Sequence, residues 1–505
     1  MCVRPPMADG GVQAHVGARD PVRDGVVHGL VRDHFAAFAE RMQEDGRALP
    51  RYVVAEFEAF LRCGVLACGF MRARCPGCGF DRLVAFSCKR RGVCSSCGGR
   101  RMSETAARQC DRVLPVVPYR QWVLSLPWAL RLPVARDPAL LNAVSRVFFE
   151  EVRGWLRSVA GVVPRAAAVE AGAVTFVQRF GGSLNLNPHL HMLVADGVFA
   201  CRDDGSSPTF LATAAPTRDD LRGVIARVIA RLETIAARQA KRSEDADGGA
   251  GDDGMEGLRR AAGGRGTFAR VDEKGATNEE ESAEAPLWMA SRGLVAEVGG
   301  FNLHAGVTVA GDDRNALERL CRYMARPAVA SGRVTRLPDG NVAYRVKSPR
   351  SAGATHRVMT PLEFMARLSA LVPPPRTPLV RYHGVVAPNS PWRVAVVPRP
   401  PVDGVVGCAG RAAASVPLAA VGETTGASVK GEGARGSAVP MPSGRIDWAR
   451  LMWRVWAIDT LLCPGCGGRM KMIAALTDRA GIVRVLEHLD VSTEVPRMRR
   501  SRDGP

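Results

Sequence analysis

The sequence predicts an α+β chain: a mostly antiparallel sheet with helices on one face, preceded by a zinc-ribbon domain and followed by a small Cys-x-x-Cys tail domain. Three patterns predict it. Segments 174–180, 184–194 and 301–309 alternate in the period of two that a half-buried strand requires. Residues 141–156 and 221–235 repeat their apolar side chains at helical spacing. Two Cys-x-x-Cys pairs, Cys75/Cys78 and Cys94/Cys97, stand before these elements, and a third, Cys463/Cys466, stands after them.

In chain order, residues 1–25 are rich in Gly, Asp and Arg and are expected to be disordered. A helix follows, with Val27, Leu30, Val31, Phe35 and Phe38 on its buried side; His28 and His34 read as packing or surface residues. Residues 26–115 form the metal-binding unit. Fifteen residues separate Cys78 from Cys94, the spacing at which two knuckles bring four thiolates to one tetrahedral zinc ion, so Cys75, Cys78, Cys94 and Cys97 are expected to share it. Cys63, Cys68 and Cys88 are left over, as part of a second site or as buried thiols. Lys89, Arg90, Arg91, Arg100 and Arg101 edge the knuckles and suit contact with phosphate.

Residues 116–395 form the second unit. A strand is expected over 120–126, and Asp137-Pro138 supplies N-cap and N1 residues for a helix burying Leu141, Val144, Val147, Phe148, Val152, Trp155 and Leu156. Strand 174–180 and strand 184–194 read as a hairpin turning at Gly181-Gly182. A helix runs from Arg218 to about Ala240, and residues 242–285 read as a flexible insertion. After strand 301–309, Asp312-Asp313 opens a helix that Pro327 ends. A hairpin turns at Asp339-Gly340, and Thr360-Pro361 starts a short helix. Residues 396–443 read as a linker and 444–495 as a small C-terminal domain. Its single Cys463/Cys466 pair is half a zinc site, whose complement is His488, an N-terminal thiol or nothing.

With 69 Lys and Arg against 50 Asp and Glu, the net charge is +19, which favours a polyanionic partner such as nucleic acid. No apolar run is long enough to span a membrane, and residues 1–9 lack the apolar core of a signal peptide, so a cytoplasmic protein without membrane partners is expected. In a reducing compartment, 14 cysteines point to metal rather than disulfides.

In strand 184–194, His189 and His191 stand two apart and so on one face, beside Asn185 and Asn187. Two imidazoles held by a rigid strand suit a metal ion; the alternative is a pair of packing histidines. For a third ligand, Gln178 faces Asn185 in a two-residue hairpin, too far from His189 unless a bulge shifts the pairing. His304, on the polar face of another strand, is the better candidate. Such an ion keeps open positions for a phosphate oxygen. Tyr323 sits at the margin of the buried stripe of the 312–325 helix, flanked by Arg322 and Arg326, and reads either as a boundary residue or as a nucleophile.

Asn185-Leu186-Asn187-Pro188-His189-Leu190-His191 resembles the His-hydrophobe-His motif of HUH endonucleases. Cys321-Arg322-Tyr323-Met324-Ala325-Arg326-Pro327 resembles the tyrosine helix of the insertion sequence 91 transposases. Residues 74–78 and 85–101 resemble their N-terminal zinc-binding domain, and 371–385 the segment after their catalytic helix. The resemblance covers about 26–240 and 286–395, and Cys463 to Gly468 resembles the tail of some members. It implies an HUH-type sheet and rolling-circle transposition. Tyr323 would attack single-stranded DNA at an element end and form a 5′-phosphotyrosine, with His189 and His191 holding Mg²⁺ or Mn²⁺. Arg319 and Pro327 stand where founding members place a second tyrosine, so the chain resembles the single-tyrosine branch. Expected partners are single- and double-stranded DNA at element ends, bound at the bacterial nucleoid. A plasmid relaxase or replication initiator would share this chemistry, and a non-catalytic zinc-ribbon DNA-binding protein would need none of it.

Overall fold

Six antiparallel strands form the central sheet of the computed structural model. Their order is Val295–Val298, Phe301–Val309, Tyr119–Ser125, Leu186–Ala195, Gly172–Phe180 and Val380–Gly384. The structure describes residues 25–161, 168–201, 207–244, 294–330, 332–346, 353–398, 451–454 and 459–499, with strand paths also at Ala14–Val16, Phe268–Val271 and Thr277–Glu280. The expected N-terminal disorder, the 242–285 insertion and the 396–443 linker lie largely outside these residues. Among the described residues, no helix is long and apolar enough to cross a membrane.

Strand alternation divides the sheet into two faces. One carries Trp122, Leu124, Val177, Leu190, Met192, Val194, Leu303 and Ala305. Helices Pro138–Val159 and Arg218–Glu244 cover it with Val144, Phe148, Trp155, Leu221, Ile225 and Val228, and Trp155 packs on Trp122 with ring centroids 5.5 Å apart. Burying one such large side chain contributes about 2–3 kcal/mol, so this layer is the sheet's main anchor. Asp137 caps the first helix by accepting from Ala139 N at 2.6 Å, as the Asp-Pro pair leads one to expect.

The expectation of helices on one face alone is corrected. The opposite face carries Tyr119, Val174, Phe176, Leu193 and Val309, and there the sheet meets Ala106 and Cys110 of helix Ser95–Arg112 and Leu317, Cys321 and Met324 of helix Arg314–Met324. Five apolar side chains on the nominally polar face need cover, and two helices supply it. Asp313 caps the Arg314–Met324 helix by accepting from Ala316 N at 2.8 Å.

A second sheet joins the two ends of the chain. Its order is Ala14–Val16, Asp81–Ala85, Phe70–Arg74 and Lys471–Leu476, the last pair antiparallel, so the tail strand completes the sheet of the N-terminal unit. Phe70 and Leu83 of this sheet pack with Ile482 and Leu486 of helix Arg479–His488. Helices Gly25–Glu44 and Arg51–Leu61 pack instead in a core shared with Phe364 and Leu368 of helix Pro361–Leu371, through Leu30, Phe35, Phe38, Val53 and Phe57, with Phe35 stacked on Phe57 at 4.1 Å. His28 is buried there and bonds Leu61 O at 3.0 Å, a packing histidine as expected.

Candidate active site

His189 and His191 stand on the same face of strand Leu186–Ala195, ring centroids 4.9 Å apart, with His191 buried. His189 Nδ1 lies 2.7 Å from its own strand's Asn187 O. A carbonyl only accepts, so Nδ1 carries the proton and Nε2 keeps a lone pair for a ligand. His191 Nδ1 lies 2.9 Å from the side-chain amide nitrogen of Gln121, on the neighbouring strand. Turning that amide end for end would put an acceptor at Nδ1 and release the Nε2 lone pair as in His189. Gln121 went unnoticed in the sequence because its meaning lies in a cross-strand neighbour.

Tyr323 lies over this pair. Its ring meets the His191 ring edge-on, centroids 5.8 Å apart at 90°. The Arg326 guanidinium lies 4.9 Å from the Tyr323 ring and 5.4 Å from Phe180, filling the space between helix and sheet. Arg322 turns the other way and is paired with Glu318, which also holds Arg454 from the tail. Burial raises the Glu318 carboxyl, but the two guanidiniums outweigh it and hold the group below its usual range.

The hairpin before the histidines differs from the expected two-residue turn. Gly181 N donates to Asn185 O at 2.8 Å and Leu184 adopts φ 57°, so the connection spans 181–185. A Cβ on Gly181 would lie 2.2 Å from Asn185 Oδ1, so a side chain there would displace the Asn185 amide. A bulge between Gln178 and Phe180 then shifts the register, and Gln178 pairs directly with His189. Its amide nitrogen donates to the carbonyls of Tyr323 at 3.1 Å and Met324 at 2.9 Å. Its oxygen is buried with no hydrogen-bond partner, as is Asn187 Oδ1.

His304 does not join the group. It pairs with Val123, which pairs on its other side with His191, so two strand spacings, about 10 Å, separate the histidine backbones. Among the described residues, no set of three His, Cys, Asp or Glu that includes His189, His191 or His304 brings its ligand atoms within 4.8 Å of one another. Thr308 leaves the His304 face altogether, because a bulge between His304 and Val307 changes the alternation, with Arg120 donating to Ala305 O at 3.0 Å.

The six Cys-x-x-Cys thiols and two of the three left over sort differently from the expected single N-terminal site. Cys94 and Cys97 gather with Cys63 and Cys88, and Cys75 and Cys78 gather with Cys463 and Cys466. Cys94 caps helix Ser95–Arg112, accepting from Cys97 N at 3.4 Å, which turns both sulfurs toward the end of helix Arg51–Leu61 and away from the Cys75 knuckle. In the first group the Cys63–Cys97, Cys88–Cys97 and Cys63–Cys94 sulfurs lie 3.7, 3.5 and 3.6 Å apart. Four thiolates around zinc stand about 3.8 Å apart, so the group fits a structural zinc ion. Contacts with Cys63, Cys88 and Cys94 hold the Cys97 thiol well below its ordinary value, and the same crowding of sulfurs pushes Cys94 up. Cys68 belongs to neither group.

Of the basic residues, Lys89, Arg90 and Arg101 are exposed and Arg100 half-exposed beside the first group. Arg91 instead donates to Thr377 O at 2.8 Å and Pro374 O at 3.2 Å, tying the metal-binding unit to the segment after helix Pro361–Leu371.

Residues 172–391 match the family model titled "Putative transposase", and residues 30–126 match the "Transposase zinc-binding domain" model of the insertion sequence 91 group. Searches of curated proteins and of solved structures gave no match.

Proposed function

We propose, for a chain that belongs to the insertion sequence 91 family of transposases, that Tyr323 is the nucleophile that nicks and rejoins single-stranded DNA at the element's ends. The observation that carries this reading is the edge-on contact of the Tyr323 ring with His191 beside His189. It joins a phenol to two imidazoles on one polar face, with Arg326 alongside.

A divalent ion, Mg²⁺ or Mn²⁺, fits the donors His189 Nε2, His191 Nε2 and Gln178 Oε1. The buried amide oxygen without a partner supports Gln178 as the third ligand in place of His304. Bound there, the ion supplies Lewis acidity to a phosphate oxygen. The Tyr323 oxygen attacks phosphorus as the bond to the upstream 3′ oxygen breaks; the phenol loses a proton and the 3′ oxygen gains one. The product is a 5′-phosphotyrosine and a free 3′-hydroxyl. Exchange of one phosphodiester for another conserves its energy, so rejoining needs no nucleotide cofactor. The two Gln178 bonds to the end of the tyrosine helix hold the phenol over the histidines. Exposed Lys89, Arg90 and Arg101, with Arg100, suit backbone contact with the DNA, and Arg322 serves through its pairing with Glu318.

The test is incubation of the protein with Mn²⁺ or Mg²⁺ and a single-stranded oligonucleotide carrying the element end. A denaturant-resistant adduct is expected, lost in Tyr323→Phe and in His189→Ala. Adducts that persist in Tyr323→Phe would overturn the nucleophile. A cognate end that is bound but never gives an adduct would favour a DNA-binding role without catalysis.

A further inference from the structure

The second group of sulfurs brings together two short segments of the same sequence. Cys75-Pro76-Gly77-Cys78-Gly79 and Cys463-Pro464-Gly465-Cys466-Gly467 are identical in residue type. They are also alike in main-chain hydrogen bonding. Cys75 N donates to Phe80 O and Gly79 N to Cys75 O, both at 2.9 Å; Cys463 N donates to Gly468 O at 2.8 Å and Gly467 N to Cys463 O at 2.9 Å. Gly79 and Gly467, the fifth residue of each, take φ of 76° and 71°, which a side chain would disfavour.

The two turns face each other with their sulfurs crossed. Cys75 lies 3.4 Å from Cys466 and Cys78 lies 3.5 Å from Cys463, and all four sulfurs fall within 4.8 Å of one another. The contacts are reciprocal. A Cβ built on Gly77 would lie 3.9 Å from Cys466 Sγ, and one built on Gly465 would lie 3.8 Å from Cys78 Sγ. Two knuckles related in this way are the two halves of a four-thiolate ribbon site, here with Cys78 and Cys463 385 positions apart in the chain. The surrounding contacts agree: the tail strand Lys471–Leu476 pairs with Phe70–Arg74, which leads into the first knuckle, and Arg82 donates to Thr460 O at 2.7 Å beside the second.

We propose that Cys75, Cys78, Cys463 and Cys466 bind one zinc ion, separate from that of Cys63, Cys88, Cys94 and Cys97, and that this ion clasps the tail to the N-terminal unit. The clasp closes the chain into a ring that encloses the whole catalytic sheet. Cys78 and Cys466 are exposed whereas Cys94 and Cys97 are buried, so a chelator reaches the clasp before the inner site. The proposal is independent of the role given to Tyr323.

Zinc content of the purified full-length chain tests it. Two ions per chain are expected, and one in Cys463→Ser/Cys466→Ser. Cobalt substitution of wild type should give thiolate-to-metal charge-transfer absorption about twice that of this variant. Chelation of the wild type should release one ion in a fast phase, and only then should protease remove the tail; this arm needs no variant to fold. One zinc per wild-type chain, or two retained in the double variant, would overturn the proposal. So would a non-reducing thiol count in which Cys75 is bonded to Cys466 and Cys78 to Cys463 as disulfides.

Discussion

Gln178 donates from one side-chain nitrogen to the main-chain carbonyls of both Tyr323 and Met324, at 3.1 and 2.9 Å. The bonds fall at the end of the helix, where carbonyls lack intrahelical partners, and they fasten the tyrosine to the strand beside His189. Replacing Gln178 by Ala strands both carbonyls and removes the amide oxygen. Stability should fall by about 1–3 kcal/mol. The Mn²⁺ concentration giving half-maximal adduct should rise by roughly 10–100-fold or more. A normal Mn²⁺ requirement in a folded variant would remove Gln178 from the ligand set.

His304→Ala provides the opposing case. It stands two strand spacings from His191 and outside the proposed donor set, so its loss should leave the Mn²⁺ midpoint within about twofold. A shift as large as that of Gln178→Ala would restore His304 as the third ligand.

Gln121 meets His191 Nδ1 at 2.9 Å, and in the proposed site it would act on the metal through that ring. With Gln121→Leu the ring loses its orienting partner, and Mn²⁺ affinity should drop by about 10–100-fold while single-stranded DNA still binds. Calorimetric titration of metal and of oligonucleotide separates the two effects; equal weakening of both would argue for a general packing defect.

His383 should make the protein acid-sensitive. Burial, with Arg381 nearby, lowers its pKa to about 4 from 6.5, and the neutral ring stacks on Phe149 at 4.7 Å and bonds Thr175 Oγ1 at 3.0 Å. Between these two pKa values the unfolded chain holds the proton and the folded chain does not, so stability falls as pH drops through 6.5 and levels off near 4. The full effect is about 3 kcal/mol. In His383→Asn the difference between urea midpoints at pH 7 and pH 4 should shrink by that contribution. An unchanged difference would mean that His383 does not titrate on unfolding.

Glu318 joins the tyrosine helix to the tail, accepting from Arg322 on its own helix and from Arg454. Its lowered pKa contributes stability above the unfolded carboxylate range, lost as pH falls through the folded value. Glu318→Gln should lower stability at pH 7 by about 1–3 kcal/mol and leave less of an acid-induced loss. Arg454→Met should reproduce part of the effect; if it is silent, the tail contact contributes nothing to the helix.

Much of the chain was legible from local chemistry. The Asp137-Pro138, Asp313 and Thr360-Pro361 caps, the apolar stripes of their helices and the alternation over 301–304, before the bulge, act within one or two turns of chain, so periodicity and capping residues report them directly. The motifs at His189, His191 and Tyr323 belong to the same class, since each rests on neighbours in one strand or one helix. Other elements could not be read in this way. Helix Ser95–Arg112 opens on a run of Ser, Cys and Gly that resembles a loop, and forms because Cys94 caps it and Ala106 and Cys110 pack on the sheet.

By itself, then, the sequence determined which residue types could do chemistry and on which face of which element each would stand. Tertiary structure decided which of them meet. The 181–185 connection and one bulge brought Gln178 opposite His189, and the strand order put His304 two spacings from His191. The pairing of strand Lys471–Leu476 with Phe70–Arg74 gave the Cys75 knuckle a partner hundreds of residues away. Register and long-range pairing are set by the balance of packing and hydrogen bonds across elements, and no local period carries that balance.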